Sequence, residues 1–396
     1  MRWYTCTPVE FGGGPDFFTR DSGLLSRGFQ LNGVESMAVM PGARKAEDEP
    51  DLIRTEFKNL ESAEWWKKQK LDGVVLYAWG APRFRHVARA IRESGVILIL
   101  NQDSSGIVSP LCGISFWMKE QWVLRGGGTS PAHTLRAILM IIWGTTGGLL
   151  RTDTLRALHL RQGTFIAALY PEAAKYYRKL CRIYGGRKLA GRVVTLPHTV
   201  APSLFFENGF QKAPSRIIAI GRWDDVIQKR PSLLMETLGL LLSENDSVGI
   251  DIVGGGEGVF TKWLDRLPAK QAAKVTIHGR LPHPEIKDLL RTACVYYSPS
   301  AYESFNIAAA EALCCGCSVV SADIPTMASF RWFASKDSGT LAKADNPQAH
   351  CNALSEELAQ WSSGKRIPKE ISNHWCASLH ADRVASKILE LNNPTE

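Results

Sequence analysis

Between residues 216 and 322 the chain alternates short β-prone runs with longer helical stretches, a rhythm that leaves few folds open. Residues 216–220, 248–253, 275–278, 294–298 and 318–322 read as strands. The stretches 257–267, 284–292 and 307–315 read as helices, and the helix after 220 has Pro231 suited to its first turn, with Leu234, Leu238, Leu241 and Leu242 on one face. Strands that alternate with helices in this way predict an α/β fold built on a parallel, doubly wound sheet. Ligands of such sheets bind beyond the carboxyl ends of the strands, so the segments that follow each run are the candidate site.

The most informative of these segments is Tyr302-Glu303-Ser304-Phe305-Asn306-Ile307, which runs through three alanines into Glu311-Ala312-Leu313. Two carboxylates stand with seven residues between them at a loop-to-helix junction. Glu303, in the loop, can reach a polyhydroxyl group. The backbone N–H groups of Phe305, Asn306, Ile307 and Ala308 open the helix toward phosphate charge, and Glu311 lies about a turn deeper, placed to accept from paired hydroxyls. Both features suit a sugar nucleotide.

This segment resembles the Glu-x7-Glu signature of retaining glycosyltransferases with the two-domain GT-B fold, in particular family 4, the glycosyl transferases group 1. Further matches follow in the family's order. Gly221-Arg222-Trp223-Asp224 with Gln228-Lys229-Arg230-Pro231 resembles its phosphate-binding Arg and Lys segment, and Ile252-Val253-Gly254-Gly255-Gly256-Glu257 resembles its strand ending in a glycine turn. Residues 275–281 and 316–325 fall where it places its next strands. The resemblance covers roughly residues 216 to 330 and is weak in the N-terminal half.

It implies two Rossmann-like doubly wound domains facing a central cleft, and transfer of a sugar from a nucleotide-diphosphate sugar, UDP-sugar foremost, to a hydroxyl of a glycan, lipid-linked or other acceptor with retention of anomeric configuration. Glu303 would contact hydroxyls of the donor sugar and Glu311 those of the ribose. His278 and Arg280 would line the base pocket. Negative charge grows on the departing β-phosphate in this chemistry, and Arg222, Lys229 and the N–H groups around Gly13 and Gly14 are the candidates to meet it. The resemblance implies no divalent metal and no further cofactor, and no Asp-x-Asp motif stands in a likely cleft position.

Three positions depart from the family's pattern. Asn306 replaces a common glycine, which calls on asparagine's tolerance of unusual backbone angles. Asn101-Gln102-Asp103 stands where His-Asp is frequent, and Pro197-His198 where Asn-Gly is usual. Asp103 either orients the acceptor proton or caps a turn.

The N-terminal half repeats the pattern. Residues 3–7 lead into Glu10-Phe11-Gly12-Gly13-Gly14-Pro15, 73–77 end at Trp79-Gly80, and 96–100 end at Asn101-Gln102-Asp103. The expected domains are 1–205, with a helical insertion at 111–192, then 206–373, joined near 201–215, and a last stretch, 374–396, that crosses back onto the first domain.

Charge is unevenly distributed. Lys and Arg number 14 against 14 Asp and Glu over residues 1–110, 13 against 3 over 111–192, and 20 against 22 over 193–396, so the formal excess of +8 comes from one segment. That segment also holds the uncharged tract 137–150, too short to span a bilayer, which takes about 20 apolar residues. Two readings stay open for it. It lies in a membrane interface, with Trp143 at headgroup level and Arg136, Arg151, Arg156 and Arg161 near acidic lipid, or it is a core helix beside a solvated basic face.

Other classes fit less well. Gly254-x-Gly256 lacks the third small residue of a dinucleotide fingerprint, since Val259 occupies its place, and no recognition module for nucleic acid accompanies the basic segment. Cys314-Cys315-Gly316-Cys317 has no second pair at zinc spacing and reads as buried small residues at a helix end. Nine scattered cysteines and the absence of a signal-peptide pattern ahead of Trp3 predict a reducing cytoplasm, at the membrane surface if the first reading of 137–150 holds. A GT-B-fold sugar-nucleotide epimerase and a non-catalytic nucleotide-sugar-binding protein are the alternative functions.

Overall fold

The computed structural model describes residues 1–392 apart from 208, 210 and 336. The end of the 374–396 stretch, and positions 208 and 210 of the joining segment, lie outside the described residues. The chain divides into two compact units, Met1–Pro202 with Ser378–Glu396, and Ser203–Ala377.

The first unit is built on seven strands, β1 (Trp3–Cys6), β2 (Ala38–Pro41), β3 (Leu52–Thr55), β4 (Gly73–Tyr77), β5 (Ile97–Gln102), β6 (Phe165–Ala168) and β7 (Val193–Thr195). They form one parallel sheet in the order β3-β2-β1-β4-β5-β6-β7. Every residue of β1 and β4 is buried, as expected of central parallel strands covered on both faces. Trp3 lies flat across Gly73, where a Cβ would come within 2.4 Å of the indole, and stacks on Phe29 at 5.5 Å. The returning helix Ala381–Asn392 completes this core, since Val384, Ala385 and Ile388 join Trp3, Leu25 and Phe29. Gly28 lets it approach: a Cβ there would stand 2.3 Å from the carbonyl oxygen of Ala381.

The segment 111–192 is more than a helical insertion. It holds the helices Ile114–Leu124, Pro131–Thr145, Thr154–Leu160 and Pro171–Ala190, but β6 also runs through it and hydrogen-bonds between β5 and β7.

The second unit has six strands, β8 (Ala213–Ile220), β9 (Gly249–Val253), β10 (Val275–Gly279), β11 (Ala293–Tyr297), β12 (Ser318–Ala322) and β13 (Gly339–Ala342). This sheet is also parallel, in the order β10-β9-β8-β11-β12-β13. The helix expected at 257–267 is broken into a 3-10 turn, Glu257–Phe260, and a single α turn, Thr261–Leu264. Cys314, Cys315 and Cys317 are fully buried where the helix Ile307–Cys314 ends, and the chain turns at Gly316 with φ +79°. All nine cysteines carry free thiols.

Candidate functional site

In each sheet the strand order reverses beside the unit's first strand, between β1 and β4 and between β8 and β11. Loops leaving two such strands diverge and open a crevice at their carboxyl ends.

In the second unit the loop after β8 is clamped to the glycine turn after β9. Gly254 has φ +120°, and a Cβ on it would lie 1.8 Å from the carbonyl oxygen of Gly221, so only glycine allows this approach. Trp223 is buried beneath the loop, donating from its indole nitrogen to the Val253 carbonyl at 3.0 Å and from its backbone N–H to Gly255 at 2.7 Å. Its neighbour Arg222 therefore points outward, with its side chain 71% exposed, and reaches Gln228 Oε1 at 3.3 Å and Asp225 at 3.5 Å.

Gln228 is the link to the loop after β11. Its side-chain amide donates to Glu303 at 3.3 Å and to the Tyr302 carbonyl at 3.2 Å, while the backbone carbonyl of Gln228 accepts from the backbone N–H of Ala301 at 2.8 Å. Lys229 forms an ion pair with Glu303, both largely buried. Arg230 fixes the two loops together from a left-handed backbone, φ +46°. Its guanidinium donates to the carbonyl of Pro299 at 2.7 Å and makes two parallel contacts of 2.8 Å with Asp345. Burial alone would raise the pKa of Asp345, but hydrogen bonds from His350 and Arg230 hold it well below the usual carboxylate range. Arg222, Gln228, Glu303 and Lys229 thus form one connected cluster of charged and polar groups.

Asn306 turns the chain into the next helix with φ +72°, the left-handed conformation that asparagine tolerates. Its side-chain oxygen accepts from the N–H of Ala309 at 2.9 Å and from the Tyr296 hydroxyl at 3.1 Å. Asn306 is therefore the N-cap, and the N–H groups of Ile307 and Ala308 lie at the open head of the helix. The Phe305 side chain is an anchor, 1% exposed and 5.1 Å from the Phe333 ring, so the ring does not face the crevice. Glu311 sits 2.9 Å from His283.

The two residues assigned to a base pocket lie at the end of β10, beside the glycine turn. His278 lies 2.8 Å from Asp251, a fully buried carboxylate that also accepts two hydrogen bonds from Arg216 at 2.6 and 2.7 Å. Arg280 is exposed, and its Nε stands 2.5 Å from where a Cβ on Gly255 would be.

In the first unit a pocket of about 350 Å³ opens at the β1/β4 reversal, with Thr7, Gly14, Asp21, Ser22, Tyr77 and Trp79 among its walls. Gly14 lines it and caps the short 3-10 helix Pro15–Thr19. Gly13 does not line it. A Cβ there would fall 2.2 Å from Asp48, and the Gly13 carbonyl accepts from the N–H of Glu49 at 2.9 Å, which makes this a packing glycine under the loop. Asp103, just past β5, lies 3.3 Å from Nε2 of His198, just past β7, and the His198 ring stacks on Tyr77 at 6.1 Å. Burial works against a charged imidazole, yet the charge and hydrogen bond of Asp103, together with Asp21, carry the His198 pKa above its ordinary value.

Sequence reasoning passed over Gln228, His283 and His198 as site residues. Gln228 adjoins Lys229, and His198 follows a strand run directly, which is the signal that marks the other candidates; nothing in the sequence marks His283, whose partner Glu311 is far along the chain.

Two parallel Rossmann-like units with crevices at their reversal points define the GT-B class of α/β proteins, and whole-chain likenesses agree. The fold is similar to that of Anabaena Alr3699/HepE in complex with UDP, with a TM-score of 0.64 at 13% identity over 100% of each chain. It is also similar to the apo form of the lipopolysaccharide outer core galactosyltransferase WaaB, at 0.63 and 12% over 100% of each chain.

More narrowly, residues 214–360, which lie within the second unit, match the family described as glycosyl transferases group 1. Among curated proteins, the chain is 29% identical over 157 residues to a D-inositol 3-phosphate glycosyltransferase of Streptomyces bingchenggensis, covering 37% of this chain and 34% of that protein. It is 27% identical over 218 residues to the GDP-mannose:cellobiosyl-diphosphopolyprenol alpha-mannosyltransferase of Komagataeibacter xylinus, covering 52% and 53%. The chain spans about a third to a half of the length of these relatives.

Proposed function

We propose that this protein is a glycosyltransferase that moves a sugar from a nucleotide-diphosphate sugar, most naturally a UDP-sugar, to a hydroxyl of a glycan or lipid-linked acceptor, with retention and without a divalent metal. The observation that carries this reading is the cluster at the β8/β11 reversal, where Arg222 is tied through Gln228, and Lys229 directly, to Glu303 beside the open head of the Ile307–Cys314 helix. A held lysine, an outward-facing arginine and a helix N-terminus are groups that can meet the charge of a departing diphosphate. Because the Lys229–Glu303 pair already exists in the free protein, the lysine is held in place before a ligand arrives. Glu303 Oε2 accepts from Gln228 at 3.3 Å and keeps a further lone pair for a sugar hydroxyl, and Glu311 is the candidate for the ribose.

The glycosyl transferases group 1 match over residues 214–360 supports this reading, as do the names of the two curated relatives. Nine free thiols accord with a cytoplasmic setting. In the first unit, the pocket at Tyr77 and Trp79 with the Asp103–His198 pair nearby is the candidate acceptor side.

The test is turnover of a panel of nucleotide sugars, with product mass read with and without acceptor. Arg222→Ala and Lys229→Ala should each cut turnover by about 100-fold, the scale of losing one group that stabilises developing charge, whereas Glu311→Ala should mainly weaken donor binding. Chelator should leave the wild-type rate unchanged. Wild-type rates in all three variants overturn the assignment. An isomerised nucleotide sugar released without acceptor would make the protein an epimerase, and donor binding with no turnover a binding protein.

A further inference from the structure

We propose that the outer faces of the helices Ile114–Leu124 and Pro131–Thr145 dock this protein onto the surface of an anionic lipid bilayer. On the second helix Leu135, Ile138, Leu139, Ile142 and Trp143 recur at spacings of three and four, which draws one apolar stripe along an α-helix. A helix of a globular protein turns such a stripe toward the core. Here it is turned outward: Leu135 is 58% exposed, Leu139 56% and Ile142 55%, and Ala137 is the buried residue of the helix.

The arrangement is held firmly. Trp117 of the first helix is buried against Gly144 of the second, where its ring leaves no room for a Cβ. That contact fixes the two helices as a pair and leaves Ile114, Phe116 and Met118 on the outside, continued by Leu150 in the next turn. Trp143 folds over Gly147 at the end of the stripe and stays half-exposed, an amphipathic ring suited to headgroup depth.

Charge identifies the occupant. Lys119, Arg136 and Arg151 are exposed in the same segment, which carries 13 basic residues against 3 acidic ones. Arg156 and Arg161, also expected near lipid from the sequence, are engaged elsewhere: Arg156 pairs with Asp153 at 2.6 Å, and Arg161 donates to the Tyr184 carbonyl. A second copy of this face would bring like charges together, and an uncharged partner would leave the basic residues without a role. An anionic bilayer offers hydrocarbon to the stripe and phosphate to its rim. Fifteen residues make a helix about 22 Å long, short of the roughly 30 Å of a hydrocarbon core, and no helix among the described residues is long and apolar enough to cross a membrane. The pair therefore lies flat on the surface. This proposal does not depend on the transfer activity.

The experiment is flotation of the full chain with vesicles of phosphatidylcholine alone and of phosphatidylcholine mixed with phosphatidylglycerol, at low and high salt. Binding is expected only with phosphatidylglycerol and should weaken as salt rises. Replacing Arg136 or Arg151 by alanine should weaken it about fivefold each, the value of one basic residue near such a surface. The double variant Leu139→Glu with Ile142→Glu, at two solvent-facing positions, should abolish it while leaving the circular dichroism spectrum unchanged. Equal partitioning of that variant and the wild type, or no partitioning of the wild type into either vesicle, overturns the proposal. So does a vesicle-free dimer that the double variant converts to monomer, which would make the face a self-association surface.

Discussion

Single side chains in this molecule hold backbone and charge in states they would not choose alone. Glu120 is the sharpest case. It lies on the inner side of the Ile114–Leu124 helix with Ser105 as its hydrogen-bond donor, and burial pushes its pKa up to about 7, a rise that the serine only partly counters. The folded state therefore holds this proton more tightly than the unfolded chain does. Its contribution to stability is greatest below the unfolded pKa, falls as pH rises from about 4.5 to about 7, and is flat above that. At about 1.4 kcal/mol per unit of pKa, the loss amounts to a few kcal/mol. Glu120→Gln keeps the shape without the charge, so its gain in urea midpoint over the wild type should be small at pH 5 and clear at pH 8. An equal difference at both values would show that the carboxyl remains ionised in the fold.

Elements here are recognisable where side chains repeat and hidden where they are brief. Strands β9 and β12 stand out as runs rich in valine and isoleucine, whereas β2, β3 and β13 have four residues each and read as loop until the sheet supplies their partners. The junction of β11 with the Ile307–Cys314 helix was legible through its two carboxylates, and the left-handed turn at Asn306 through the missing glycine. The Gln228 bridge and the Asp103–His198 pair were not, because each joins loops that only the finished sheet makes neighbours. The cap at Asn306 yields an ordering of variants. Asn306→Gly loses the bond to Ala309 but keeps the backbone angle, whereas Asn306→Ala loses both, so alanine should cost about 1–2 kcal/mol and glycine only a few tenths. Chemical denaturation of the two variants checks the order, and a glycine variant less stable than alanine would show that the left-handed turn is unimportant.

On the scale of the whole molecule, the first unit is assembled from two ends of the chain. Val384, Ala385 and Ile388 cover a core face shared with Trp3, Leu25 and Phe29, and Asn32 donates to the Asp382 carbonyl at 2.8 Å. Removing residues 381–396 would uncover that face and cost the first unit roughly 5 kcal/mol, counting about 1.5–3 kcal/mol for each large apolar side chain withdrawn. Limited proteolysis should then degrade residues 1–202 rapidly while a fragment from the 203–377 region persists; equal survival of both would show that the helix contributes little. The same two-ended assembly dictates an order of events on the ribosome. The second unit is contiguous and can close as soon as it emerges, but the first must wait, its indole-lined core open, until the final helix leaves the exit tunnel.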